Sequence, residues 1–384
     1  MKKIKVLHLI TDLGKGGAER FLIDLCKQML TRRDVKFKIA VLYDNNLYKS
    51  DTEALPIEIL NYSTFEILRV NKCEKFTELL DSFRPDIIHA HRFLGEFITS
   101  YDLRGCVSYV CHGHDNMIQF RPLTWSDLFK KQRLLHVFEK GYLIFRKYLT
   151  YKTHFISNSP HTDSFYKKVL PLFTKTSVNM IPYGFDYEKF YNPEPKKLPK
   201  ESEELIIINI GSFQTKKNQV FILEIAKELL TLKVKFRIHL LGDGENKKLV
   251  EEKVQQYGLQ KNVFLHGNVD NVEDWLKWSH IYIHTAVYEP FGLVFLEAMA
   301  SGLPCIALDG KGNKILVENG RNGFLIKEQD ATLFVNKIVF FIQNESTYSE
   351  MSEYSKTYSS AYSIESRTNE LIDFYKIIID GRQT

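Results

Sequence analysis

The sequence is poor in cysteine, and its thiols follow no pattern used by metal sites or disulfide frameworks. The 384 residues include Cys26, Cys73, Cys106, Cys111 and Cys305. No two of them form a CxxC pair, and none has zinc spacing to another cysteine or to a histidine. An odd number of scattered thiols is typical of a reducing compartment. We therefore assign them no chemistry.

Long apolar runs are also missing. No stretch approaches the roughly 18 apolar residues that a membrane-spanning helix needs. The start, MKKIKVLHLI, joins lysines to a short apolar run as a signal peptide does, but the run is too short and no small-residue cleavage site follows. A buried first strand fits better, and these absences predict a cytoplasmic protein.

Features of nucleic-acid recognition are absent as well, although half of the chain is basic. Residues 1–190 hold 29 Lys and Arg against 21 Asp and Glu, whereas the remainder holds 23 against 26. A basic half can face nucleic acid, an anionic membrane or a phosphorylated substrate. No Arg-rich helix or aromatic RNA-binding motif accompanies the charge, so we expect no nucleic-acid partner.

Short apolar runs alternate with amphipathic helical patterns, and the alternation occurs twice. The predicted strands of the first half are 4–10, 37–43, 85–91 and 106–113, with a helix over 18–30. Those of the second half are 204–213, 236–244, 262–267, 281–286 and 303–309. Such alternation indicates an α/β protein with parallel sheets covered on both faces.

A segment rich in proline and charge, NPEPKKLPKESEE at 192–204, separates the two runs. We predict an N-terminal Rossmann-like domain over 1–190, a linker over 191–204 and a second Rossmann-like domain over 205–365. The C-terminal helix 366–384 is a candidate to pack back on the first domain. Ligands of open parallel sheets bind beyond the carboxyl ends of the strands, so the loops there are the places to look for a site.

Two adjacent glycines, Gly16 and Gly17, follow the first predicted strand and open a helix. They let backbone N–H groups approach a phosphate or a sugar closely, and the helix start adds partial positive charge. A plain tight turn is the alternative. A dinucleotide fingerprint would need glycine where Glu19 stands, which disfavours an NAD-linked oxidoreductase.

The loop GSFQTKKNQ follows the first strand of the second domain. Its glycine and serine, Gly211 and Ser212, leave the strand, and Lys216 and Lys217 stand where a helix is about to start. Ammonium groups and backbone amides can converge there on one phosphate. Two solvated loop lysines are the alternative.

The segment YEPFGLVFLEAMASGLPCIAL (288–308) is the most informative part of the sequence. Phe291, Gly292 and Leu293 begin a helix whose unpaired N–H groups suit a diphosphate. Glu289 precedes this start and Glu297 lies about a turn inside. Carboxylates would repel a phosphate, but they bind ribose or sugar hydroxyls through charge-assisted hydrogen bonds. The alternative is that Glu297 merely caps or solvates the helix, and its apolar neighbours disfavour this interpretation.

This segment, followed by ENGRNGFL, resembles the signature of retaining family-four (group 1) glycosyltransferases of the bacterial polysaccharide-biosynthesis type. GGAER, CHGHD and IPYGFD match the same family in order, so the resemblance covers about residues 6–326. It implies the GT-B fold, in which two Rossmann-like domains face each other across a cleft. It also implies transfer of a sugar from a UDP or GDP sugar donor to a glycan or lipid-linked acceptor, with retention of the anomeric configuration.

The resemblance assigns roles to residues of the second domain. Glu289 would contact hydroxyls of the donor sugar, and Glu297 would bind the nucleotide ribose. Lys217, with the amides around Gly292, would neutralise the diphosphate.

In the first domain, Gly16 and Gly17 would bring the backbone against the phosphate and sugar. His112 would lie beside the reacting carbon, with His114 as its rival for that role. We thus expect His112, Glu289 and Lys217 to be the catalytic residues.

The sequence departs from the family pattern at three positions. Ser212 replaces a usual arginine, and Lys216 is a candidate to compensate for it, although a lysine lacks the planar fork of arginine. Tyr183 replaces a usual asparagine, and Cys111 a common threonine. Ser212 leaves open an alternative from another class, a non-catalytic subunit or sensor that binds a sugar nucleotide.

We expect neither a cofactor nor a metal. A DxD motif, which the other main glycosyltransferase fold uses to hold a metal, is absent. His89 and His91 share a face of their strand, but no carboxylate or cysteine with zinc spacing joins them. We interpret them as site-lining or structural.

The stretch 121–152 contains aromatics and leucines in an amphipathic pattern, with eight basic and two acidic residues. It is either an ordinary domain helix with a solvated basic face or a surface that lies on an anionic membrane. The second interpretation predicts a peripheral protein at the inner face of the membrane.

Overall fold

The computed structural model describes residues 3–63, 73–127, 129–200 and 202–383. The chain divides into two compact units, one formed by Met1–Gly184 with Ile364–Thr384 and the other by Phe185–Ser363. The chain thus passes from the first unit into the second after Gly184, whereas the predicted N-terminal domain ended at residue 190.

The first unit is built on a parallel sheet in which the described strands lie in the order β3-β2-β1-β4-β5-β6-β7. The strands are β1 Ile4–Ile10, β2 Val35–Val41, β3 Ile57–Ile59, β4 Ile87–His91, β5 Ser108–Gly113, β6 Thr153–Ser157 and β7 Thr176–Met180. The helices are α1 Gly17–Leu30, α2 Lys49–Thr52, α3 Glu74–Phe83, α4 Arg92–Thr99, α5 Lys131–Leu143 and α6 Pro160–Val169. A π-helical turn, Ile144–Tyr148, prolongs α5.

The second unit repeats the arrangement with the described strands in the order β10-β9-β8-β11-β12-β13, all parallel. The strands are β8 Leu205–Ile210, β9 Phe236–Leu241, β10 Val263–Gly267, β11 Ile281–His284, β12 Cys305–Leu308 and β13 Gly323–Ile326. The helices are α7 Tyr187–Phe190, α8 Val220–Thr231, α9 Lys247–Gln256, α10 Val272–Trp278, α11 Leu293–Ala300, α12 Ala331–Gln343 and α13 Glu345–Ser360. The C-terminal helix, α14 Ile364–Gln383, belongs to the first unit and packs on α1.

Each sheet reverses its strand order at one place, between β1 and β4 in the first unit and between β8 and β11 in the second. The two loops that leave such a strand pair run to opposite faces of the sheet and open a crevice at its carboxyl edge. The loops at 211–217 and 285–292 therefore flank the crevice of the second unit.

The segment predicted as a linker lies within the second unit and is anchored rather than free. Lys196 is buried, and its ammonium donates to the carbonyls of Leu276, Lys277 and Ser279 at the end of α10. Burial lowers its pKa to about 7, with a smaller contribution from Lys356. The composition suggested a segment with little to bury, but the lysine stem and three carbonyls tie it to the domain.

The structure contains four strands that the sequence analysis did not predict, namely β3, β6, β7 and β13.

Among the described residues, no helix combines the length and the apolar character needed to cross a bilayer.

Candidate active site

The start of α11 is shaped by backbone geometry that only glycine provides. Gly292 precedes the helix with φ of 96°, in the left-handed region. Across the loop, a Cβ at Gly312 would lie 1.8 Å from the carbonyl oxygen of Pro290. The two loops therefore lie in direct backbone contact, and Glu289 is fixed between them by hydrogen bonds to Gly310 and Gly312 of 2.7 and 3.0 Å.

Glu289 is buried, and two cationic or N–H groups converge on one of its oxygens. Lys217 Nζ pairs with Oε2, and His284 Nε2 lies 3.1 Å from the same atom. Burial alone would raise the pKa of this carboxyl, but Lys217 and then His284 outweigh it, and the pKa lies well below its usual range. Glu289 is therefore an anion that accepts hydrogen bonds.

Lys217 reaches Glu289 from the loop that follows β8. The backbone of this loop is joined to the other by a hydrogen bond of 2.9 Å from Val287 N–H to the Lys216 carbonyl. Gln219 donates to the carbonyl of Ser212 at 3.0 Å and holds the loop beside Gly211.

The two predicted lysines of this loop are in different surroundings. The side chain of Lys216 is exposed, whereas that of Lys217 is only 18% exposed. The structure thus brings Lys217, and not the side chain of Lys216, to the start of α11.

Glu297 lies in α11, whose other residues are almost all buried. Burial is the main cause that raises the pKa of the Tyr282 phenol, and Cys305, Glu289 and Glu297 add to it. Phe291 and Leu293 are buried beside the helix start.

In the first unit, Gly16 precedes α1 and Gly17 is its first, exposed residue. A Cβ at Gly16 would lie 2.3 Å from a carboxylate oxygen of Glu19. Glu19 is buried and pairs with Arg92 at 2.7 Å. Burial raises the pKa of Glu19, and Arg92 opposes the shift. Glu19, which stands where the dinucleotide fingerprint requires glycine, therefore fills the space beside Gly16 with its carboxylate.

A cluster of five buried histidines lies on one face of the first sheet. They are His8 on β1, His89 and His91 on β4, and His112 and His114 on or just after β5. His91 is hydrogen-bonded to His8 at 3.1 Å and to His114 at 2.9 Å, and the chain continues to the Tyr183 hydroxyl. His89 bonds the Tyr375 hydroxyl of α14. Burial lowers the pKa of all five, so they are neutral at pH 7.

His112 differs from its neighbours because neither of its ring nitrogens has a partner among the described residues. Its ring stacks on that of His114 with centroids 4.3 Å apart, and Phe21 packs against it edge-on. Burial lowers its pKa to about 3. His114, in contrast, is bonded through both nitrogens, to His91 and to Tyr183. Of these two histidines, His112 is therefore the one with free hydrogen-bonding capacity.

The same histidines form two groups whose donor atoms lie within 4.8 Å of one another, His8 with His89 and His91, and His91 with His112 and His114. Both groups consist of imidazoles alone, with no carboxylate to offset the charge of a buried cation. The expectation of no metal remains a prediction.

Sequence reasoning missed the residues that position the predicted ones. His284 and Tyr282 lie on β11, where alternation within an apolar strand gave no sign of a polar role. Arg92 and Glu19 meet across 73 residues of sequence. The sequence offered one signal for His284, namely a histidine at the end of a predicted strand, five positions before Glu289.

Residues 191–358 match the family model of glycosyl transferases group 1. Two relatives illustrate the similarity. The chain is 23% identical over 378 residues to the N-acetyl-alpha-D-glucosaminyl L-malate synthase of Bacillus anthracis, which covers 96% of this chain and 91% of that protein. It is 30% identical over 171 residues to the UDP-Gal:alpha-D-GlcNAc-diphosphoundecaprenol alpha-1,3-galactosyltransferase of Escherichia coli, covering 42% of this chain and 44% of that protein.

A solved structure of Anabaena HepE in complex with UDP-glucose has the same fold, with a TM-score of 0.77 at 20% identity, covering 97% of this chain and 99% of that one. The sensor and oxidoreductase alternatives find no support among these relatives. The second unit thus matches the group 1 glycosyl transferases, and the chain, with its two Rossmann-like units, has the GT-B fold and functions in glycosyl transfer.

Proposed function

We propose that the chain transfers a hexose-type sugar from a nucleoside diphosphate sugar to a lipid-linked or glycan acceptor, with retention and without a metal. The observation that carries the proposal is the junction of Lys217 and Glu289 at the start of α11. At this place a cation and the amides of a helix start can bind a diphosphate, and a carboxylate can bind the hydroxyls of a sugar.

The diphosphate requires positive charge that is available when the donor arrives. Lys217 is partly exposed, so its ammonium can turn from Glu289 towards a phosphate. The first N–H groups of α11 have no carbonyl partner in their own helix and add partial positive charge. These groups would stabilise the departing diphosphate in place of a metal.

The sugar requires hydroxyl acceptors and a neutral neighbour at the reacting carbon. Glu289 is an anion, and Glu297 is proposed for the ribose. His112 is neutral and has unused hydrogen-bonding capacity, as a contact to the donor sugar needs. Retention is proposed through attack on the face that the diphosphate leaves, with the departing phosphate taking the acceptor's proton.

A direct test uses UDP-glucose, UDP-galactose, UDP-N-acetylglucosamine and GDP-mannose with a bacterial lipid extract as the source of acceptor. Release of nucleoside diphosphate that depends on the extract, and survives EDTA, supports the proposal. Glu289→Gln and Lys217→Ala should each nearly abolish this release while the fold is retained. Full activity in either variant would contradict the assigned site.

We propose contact with an anionic membrane because the helix α5 buries polar side chains and exposes apolar ones. α5 buries Arg133, His136 and Glu139, whereas Leu134 and Phe138 are 47% and 64% exposed. The guanidinium of Arg133 points into the unit and donates a hydrogen bond of 2.7 Å to the carbonyl of Ile118. An ordinary domain helix with a solvated basic face would not expose these apolar side chains, so we propose that this face contacts an apolar surface.

Aromatic and basic residues extend this face. Trp125, Phe129 and Phe145 are 88%, 92% and 77% exposed. The exposed basic residues of the stretch are Arg121, Lys130, Lys131, Arg146 and Lys152. Each contributes roughly 1 kcal/mol near an anionic bilayer. Exposed aromatics beside basic side chains are typical of an interfacial surface.

Vesicle binding tests this contact. With phosphatidylglycerol vesicles, the fluorescence of Trp125 should shift to shorter wavelength, and Phe138→Ser should weaken co-sedimentation. Ile377→Ser is the matched control, because Ile377 is 68% exposed in α14, outside this face. Equal binding to phosphatidylcholine and phosphatidylglycerol vesicles, or equal loss in both variants, would contradict the proposal.

A further inference from the structure

We infer that His284, held by Tyr282, is a positioning residue that keeps the Glu289 carboxylate oriented towards the donor sugar while Lys217 is drawn to the diphosphate. The inference rests on the proposed role of Glu289. It concerns two residues that neither the family motif nor the comparisons assign.

The three side chains form one hydrogen-bonded row. The Tyr282 hydroxyl lies 2.8 Å from His284 Nδ1, and His284 Nε2 lies 3.1 Å from Glu289 Oε2. All three residues are buried. Phe295 of α11 packs on the imidazole with ring centroids 4.6 Å apart and limits its rotation.

The chemistry of the partners sets the direction of these bonds. An ionised carboxylate only accepts, so the proton of a neutral imidazole must be on Nε2. Nδ1 is then an acceptor, and the Tyr282 hydroxyl donates to it. Burial lowers the pKa of His284, and Glu289 only partly offsets this, so the ring is neutral. Tyr282 thereby selects the tautomer that can hold Glu289.

Lys217 and His284 bind the same oxygen but differ in freedom. The lysine side chain is 18% exposed, whereas that of the histidine is 2% exposed and enclosed. A diphosphate can therefore attract Lys217 but cannot displace His284. Once Lys217 turns, the imidazole N–H is the remaining described bond that fixes Oε2, and Oε1 is directed to a ligand hydroxyl.

The test compares His284→Leu, which removes the N–H, with His284→Gln, whose amide N–H can take the place of Nε2. Misplacing a contact to the reacting sugar costs about 10- to 100-fold in kcat. We expect this loss for His284→Leu with the most active sugar nucleotide of the panel, partial recovery in His284→Gln, and unchanged affinity for UDP or GDP alone. Removing the N–H also raises the pKa of Glu289, so the acid limb of the pH–rate profile should move to higher pH in the leucine variant only.

Tyr282→Phe removes a single hydroxyl and covers the case in which His284→Leu does not fold. It should lower kcat, less than His284→Leu, with nucleotide affinity retained. If Glu289→Gln is inactive while Tyr282→Phe and a folded His284 variant retain wild-type kcat and an unmoved acid limb, the positioning role is overturned alone. If Glu289→Gln is itself fully active, the proposed site fails and this inference fails with it.

Discussion

Removing the ammonium of Lys217 should destabilise the second unit, because it leaves a buried carboxylate without its main partner. The perturbation is Lys217→Met, which keeps the stem and deletes the charge. Loss of one partner from a buried ion pair costs about 3–5 kcal/mol, and the 18% exposure of Lys217 reduces this. We expect about 2–4 kcal/mol in the free energy of unfolding at pH 7.

The pH dependence has a definite sign. The folded-state pKa of Glu289 lies below the ordinary value of 4.5, so its charge stabilises the fold above that pH. This stability is lost as the pH falls through the folded-state pKa. In Lys217→Met the folded-state pKa is higher, so the difference in stability between the wild type and the variant should be largest at neutral pH and shrink on acidification.

The assay is urea unfolding followed by tryptophan fluorescence. Trp275 and Trp278 lie in the second unit, and Trp125→Phe removes the third tryptophan of the chain. Lys216→Met is the matched control, because that neighbouring side chain is exposed and should change stability by less than about 0.5 kcal/mol. Equal destabilisation in both variants, or a difference that does not change between pH 7 and pH 4, would contradict a stabilising ion pair between Lys217 and Glu289.

Three further outcomes are expected. Ser212→Arg should tighten UDP binding several-fold in calorimetry, because the guanidinium adds a planar fork beside the diphosphate; weaker binding would contradict the placement of this loop. Glu297→Gln should weaken UDP binding by about tenfold, through loss of charge-assisted bonds to the ribose, and leave pyrophosphate binding unchanged. Lys147→Met should destabilise the first unit by about 3–5 kcal/mol, since it strands the fully buried Glu96, whereas Lys147→Met with Glu96→Gln should recover much of the loss.

The class of fold and the segment that carries the chemistry could both be predicted from the order of the amino acids. Apolar runs such as 4–10 and 205–210 are continuous because both faces of a parallel sheet are covered, and this property is local enough to be visible in the chain. The helix start after Glu289 was equally visible, because glycine and the apolar residues of α11 mark it. The strand β7 has mixed polarity and was missed because its residues are only half-buried or exposed, so that it forms no continuous apolar run.

Which residues act on one another depends on how the strands are arranged in each sheet. Only the strand order places β8 beside β11, and that adjacency brings Lys217 to Glu289 across 72 positions of sequence. The same applies to the histidines of β1, β4 and β5, which are far apart in the chain and meet on one face of the sheet. Sequence patterns record whether a side chain is buried, whereas the partner of a buried polar group depends on which strands the crossovers bring together.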